Sequence, residues 1–77
     1  MSKEVSIVIY TKPDCSLCER AEGLLDQIGH PYERAWRDDY AERIPVIEVD
    51  GAVVAEGRVD ERAVRRVLRE RRRFRRR

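Results

Sequence analysis

The sequence predicts one α/β domain with a mixed four-stranded sheet. Three observations carry this expectation: an early β-branched run, a change to helical period directly after it, and a proline-led apolar strand that turns back at Asp50-Gly51. At 77 residues the chain has room for a single small domain. A chain of this size buries only roughly 60–65% of the surface its unfolded form exposes, so its stability margin is narrow.

The elements follow in order. Val5–Tyr10 is β-branched and bounded by Thr11-Lys12-Pro13-Asp14, which reads as a buried strand. From Cys15 onward, Leu17, Ala21, Leu24, Leu25 and Ile28 fall on one helical face. Asp14 is a suitable cap for that helix, and Gly29 is its stop before Pro31. Tyr32–Trp36 reads as a second strand, and a helix between two strands makes them parallel. Asp38–Arg43 is long enough for one or two helical turns only. Ile44–Val49 reads as an interior strand, and Asp50-Gly51 is a strong hairpin signal with Ala52–Ala55 returning antiparallel. Asp60 caps a last helix, with Val59 and Val64 placed as a hydrophobic staple and Val64, Val67, Leu68 and Phe74 on its apolar side. Trp36 and Tyr40 read as packing residues near the sheet edge, and His30 as a surface residue at the helix end.

Charge is dense and polarised. Charged residues make up 42% of the chain, and the net charge is +2. Residues 1–61 hold seven basic and fourteen acidic side chains, whereas residues 62–77 hold ten arginines and one acid, Glu70. The domain is expected over residues 1–74, with 75–77 a basic tail beyond the last apolar position. No run has transmembrane length, and Val5–Tyr10 is too short for a signal-peptide core. A monomer in a reducing, cytoplasmic compartment is the expectation, since two cysteines three apart do not make a disulfide scaffold.

Cys15-Ser16-Leu17-Cys18 carries the chemistry, at the point where a strand gives way to a helix. Three helical positions bring both sulfurs to one side of the first turn. A thiol at Cys15 faces unpaired backbone N–H groups and the positive end of the helix dipole, and thiols in such motifs ionise at roughly pH 3.5–7.5 rather than about 8.5. Lys12 adds a nearby positive charge and a contact for a substrate carboxylate. Cys18, one turn in, is suited to attack a mixed disulfide formed at Cys15. The competing readings are two inert cysteines, half a zinc site, or a metal or cluster shared between two chains. Tetrahedral zinc needs two further ligands, and the one histidine, His30, lies about 18 Å from Cys18 along the helix. No metal or organic cofactor is therefore expected. Pro45 interrupts an otherwise interior strand, which a strand-edge trans proline or a cis Ile44–Pro45 bond would each accommodate.

Tyr10-Thr11-Lys12-Pro13-Asp14-Cys15-Ser16-Leu17-Cys18 resembles the active-site segment of glutaredoxins. Ile44-Pro45-Val46 and Val49-Asp50-Gly51 resemble their proline strand and hairpin. With Gly57-Arg58-Val59-Asp60 before the last helix, about residues 4–70 are similar to small glutaredoxin-like proteins of bacteria and archaea. The resemblance implies a thioredoxin-like, glutaredoxin-type fold, with two main helices and a short or vestigial third. It also implies a cis Pro45 beside the cysteines, with the Ile44 backbone offering hydrogen bonds to an incoming peptide or glutathione, and Arg58 in a loop near Pro45. The implied activity is reduction of protein or low-molecular-weight disulfides. Glutathione-using glutaredoxins carry a Gly-Gly step and then an acid after the hairpin. Here Ala55-Glu56-Gly57-Arg58-Val59-Asp60 has one glycine, and Glu56 would repel the carboxylates of glutathione. Glutathione and a thioredoxin-reductase-like donor both stay open as electron sources.

The rival function is a binding module on a redox-inactive fold, using Arg69–Arg77 for an acidic partner or nucleic acid. Only Phe74 interleaves an aromatic among these arginines, so base stacking has little support. The simpler alternative lays the last helix against the acidic body.

Overall fold

The computed structural model describes residues 5–75, with side chains described for residues 5–71. Its elements are β1 (Ile7–Tyr10), α1 (Ser16–Ile28), β2 (Glu33–Ala35), a single 3₁₀ turn (Asp38–Tyr40), β3 (Val46–Val49), β4 (Ala52–Glu56) and α2 (Glu61–Arg75). The sheet is open and mixed, in the order β2-β1-β3-β4. β1 is parallel to β2, and the β1–β3 and β3–β4 pairs are antiparallel. The expected α/β domain with two helices is what forms. The third helix is reduced to the 3₁₀ turn. Phe74 and the expected tail 75–77 fall outside the residues whose side chains are described.

Register decides which residues meet. Ile7 lies opposite Val49 and Ile9 opposite Ile47, so these four point to one face of the sheet. Ala21 and Leu25 of α1 and Val64 and Leu68 of α2 join them in one buried core. On the other face, Tyr10 and Tyr40 pack edge to face with centroids 4.9 Å apart. Both hydroxyls donate to the Glu48 carboxylate, at 3.2 and 2.7 Å. A carboxylate in a buried strand costs several kcal/mol unless it is hydrogen-bonded or paired, and these two donors, with the Arg37 guanidinium 3.9 Å away, make Glu48 tolerable there.

Turns are set by local chemistry. Asp50 and Gly51 both take positive φ, 52° and 86°, as a two-residue primed hairpin turn requires. The Asp50 N–H donates to the Ser6 carbonyl and the Ser6 N–H to the Asp50 carboxylate, fastening the hairpin to the start of β1. Gly29 closes α1 in the left-handed conformation, with its N–H on the Leu25 carbonyl. Asp60 accepts from the Arg62 N–H at 3.1 Å, so it caps α2 as expected.

Four expectations are corrected. Asp14 does not cap α1; it takes φ of 59° in the preceding turn, and Cys15 occupies the cap position. His30 is buried rather than exposed, because the chain reverses at Gly29 and the ring Nδ1–H donates to the Pro31 carbonyl at 2.8 Å. Leu17 is 38% exposed. It sits on the first turn of α1 and lines a cleft with Gly57, Arg58 and Val59. Trp36 is also exposed, its indole N–H bonded to Asp38 at 2.9 Å, whereas Tyr40 is buried. Among the described residues no helix is long and apolar enough to cross a membrane.

Candidate active site

β1 ends at Tyr10, and Thr11–Asp14 carry the chain from that strand end to Cys15. Cys15 has extended backbone angles, φ −118° and ψ 109°, and its carbonyl accepts the first helical bond from the Glu19 N–H. Its Sγ accepts from the Cys18 N–H at 3.2 Å. A sulfur thus stands where a serine or aspartate oxygen usually caps a helix, at the positive end of the dipole. The helical spacing does bring the sulfurs of the first turn together, and Cys15 is half-exposed while Cys18 is buried.

Cys18 is only 1% exposed. Burial, and then its hydrogen bond with Cys15, push the Cys18 thiol up to about 11, against a weaker opposing effect of a backbone hydrogen bond from Lys12. At neutral pH this thiol holds its proton. Both cysteines are free thiols in the structure.

The other expected site residues gather at the same end of the sheet. Val46 pairs with Tyr10, the last residue of β1, so Pro45 and Ile44 lie beside the strand end that leads into the cysteine loop. Pro45 is buried, Ile44 is half-buried, and the bond between them is cis. The Pro45 carbonyl accepts the Gly57 N–H at 2.8 Å, and Gly57 has φ of 67°. That bond sets the loop carrying Arg58 next to Pro45.

Two clefts flank α1. The one toward β2, of about 540 Å³, is lined by Lys12, Asp14, Cys18, Glu22, Arg34 and Trp36 among others. The one toward the loop that follows β4, of about 360 Å³, runs between Leu17, Arg20 and Leu24 of α1 and Gly57, Arg58 and Val59. Lys12 and Arg58 are therefore both at the site end, on opposite flanks of the helix. The reading from sequence missed Arg20. Its signal was present in the spacing of Leu17, Arg20, Leu24 and Gln27, which share one helical stripe.

Glu56 needs a correction. Arg43 holds its carboxylate through two hydrogen bonds, of 3.0 and 2.8 Å, and keeps it below the usual carboxylate range. The pairing offsets the repulsion toward an anionic ligand expected of a free Glu56. Among the described residues, no three or more His, Cys, Asp or Glu side chains are grouped to hold a metal ion. A scan against family models returns no match for this chain, and a search of curated proteins returns none either.

Proposed function

We propose that this chain is a thiol–disulfide oxidoreductase of thioredoxin-like, glutaredoxin-type fold, in which Cys15 attacks and Cys18 resolves. The observation that carries the reading is the Cys15 sulfur at the α1 cap, half-exposed and bonded to the Cys18 N–H, with a buried protonated thiol one turn behind it. The element order and the mixed sheet are compatible with that fold.

In the forward direction the Cys15 thiolate forms a bond to one sulfur of a substrate disulfide. The substrate S–S bond breaks, and the leaving thiolate takes up a proton. Cys18 then gives up its proton and bonds to the Cys15 sulfur, which releases the second substrate thiol. Two electrons and two protons pass to the substrate, and Cys15–Cys18 becomes the disulfide. Once Cys15 is in the mixed disulfide, it no longer holds up the Cys18 proton as a neighbouring thiolate, and burial remains as the main cause. Pro45 and Ile44 line up the substrate backbone, and Lys12 and Arg58 meet its carboxylates. Glutathione or a thioredoxin-reductase-like enzyme supplies the electrons that restore the dithiol.

Trapping tests this. Cys18→Ser, mixed with a disulfide peptide, accumulates a mixed disulfide at Cys15, which mass spectrometry detects; Cys15→Ser gives none. Mixed disulfide formation at Cys18 in preference to Cys15, or failure of the wild-type protein to reduce any disulfide, defeats the proposal. Reducing the oxidised protein with glutathione and with a thioredoxin reductase in parallel identifies the donor.

A further inference from the structure

The groove between α1 and the loop that follows β4 extends away from the cysteines and is not needed for the exchange itself. Its α1 wall is the stripe Leu17, Arg20, Leu24 and Gln27, and its other wall is Gly57, Arg58 and Val59 of the loop with Glu61 at the start of α2. It starts beside the redox pair, because Leu17 is two residues from Cys15 and Gly57 is bonded to Pro45. From Leu17 to Gln27 the helix rises about 15 Å, the length of about four or five extended residues.

The lining has two kinds of group. Leu17 is 38% exposed, and Leu24 and Val59 are half-buried, so an apolar strip lies open in the groove. Arg20 and Arg58 are exposed, and neither joins an ion pair among the described residues. Elsewhere in the acidic body the arginines are neutralised: Arg34 by Glu22, Arg37 by Asp39, Arg43 by Glu56. Among the described residues the one acid lining the groove, Glu61, is held by Arg65 at 2.7 Å. The groove is a positive, partly apolar channel on a body whose first 61 residues carry twice as many acids as bases.

We propose that this groove receives the segment of a protein substrate that flanks its disulfide, and that it selects an acidic segment with one apolar side chain. The apolar side chain lies on Leu17, Leu24 and Val59, and its carboxylates meet Arg20 and Arg58. The inference rests on the redox function proposed above and names the substrate class of that site.

The test compares reduction of two synthetic peptides with the same disulfide, one flanked by Leu and two Asp, the other by Leu and two Asn. The wild-type protein reduces the acidic peptide about fivefold faster in low salt, the size that two exposed ion pairs supply, and the advantage shrinks at high salt. In Arg20→Gln the ratio falls by about half, and in Arg20→Gln/Arg58→Gln it approaches one, with circular dichroism unchanged. Arg66→Gln, which removes one positive charge from α2, keeps the ratio. A ratio near one in the wild type, or an equal fall in Arg66→Gln, overturns the inference while leaving the redox function standing. If neither peptide is reduced, the redox function fails, and binding of the acidic peptide to Cys15→Ser/Cys18→Ser then decides the groove alone: salt-sensitive binding lost in Arg20→Gln/Arg58→Gln upholds it, and no binding overturns it.

Discussion

At the scale of single residues, the two cysteines differ through position alone. Cys15 is the half-exposed cap of a helix, whereas Cys18 is enclosed behind it with its thiol pushed up to about 11 by burial and by its bond with Cys15. Four pH units below that value only about one Cys18 in ten thousand is a thiolate, and only the thiolate reacts. Alkylation with iodoacetamide at pH 7 is therefore expected to modify the half-exposed Cys15 much faster than the buried, protonated Cys18, as read by peptide mass mapping. The Cys18 rate should rise about tenfold per pH unit toward pH 11. Equal rates at neutral pH would reverse the roles. In Cys15→Ala the partner sulfur is gone, so the Cys18 titration, followed by thiolate absorbance, should move to lower pH. Glu48 shows a different use of a residue. Its carboxylate accepts from Tyr10 and Tyr40 and is thereby held within a strand that is otherwise apolar.

At the scale of elements, α2 docks through few of its described side chains. Val64 and Leu68 are fully buried, Val67 is half-buried, and Arg62, Arg65, Arg66 and Arg69 face outward. Exposed ion pairs such as Arg65–Glu61 contribute about 0–1 kcal/mol each, so the apolar contacts dominate. Leu68→Ala is expected to cost about 2–5 kcal/mol, a large fraction of the stability of so small a domain. Arg66→Gln should stay within about 0.5 kcal/mol. Urea unfolding followed by circular dichroism measures both, and comparable losses from the two variants would contradict this account of docking. The hairpin is fastened differently, by Asp50 on Ser6 at one end and Gly57 on Pro45 at the other.

At the scale of the whole molecule, alkaline stability follows from proton linkage. The Cys18 thiol of the folded protein is raised from 9.0 to about 11. Tyr10 and Tyr32 are raised first by burial, and Tyr40 first by its bond to Glu48. Each group is neutral when protonated, and the unfolded chain loses these protons at lower pH than the folded one. Their contribution is thus complete below pH 9 and is lost as pH rises from about 9 toward 11 for Cys18, with the tyrosines following above their ordinary value of 10. The urea midpoint of the reduced protein should hold level up to about pH 8 and then fall. A midpoint that climbs between pH 9 and 11 would show that these groups do not govern the alkaline limb.

Element order, the parallel first pair, the Asp50-Gly51 hairpin, the Gly29 stop, the Asp60 cap and the cysteine pair at a helix start were all legible in the chain. Each depends on neighbours within a few residues: β-branching, helical period, turn residues and caps act locally. What lay outside the sequence was set by contacts between distant segments. The place of β1 between β2 and β3, the exposure of Leu17, the burial of His30 and the pairing of Glu48 with Tyr10 and Tyr40 depend on which surface folds over which. A helical stripe tells which residues share a face, but not whether sheet or solvent lies opposite its first turn. Leu17 continues the apolar face of α1 yet stays exposed, because what folds over the first turn is the loop after β4, and it opens into a groove with Arg20 and Arg58.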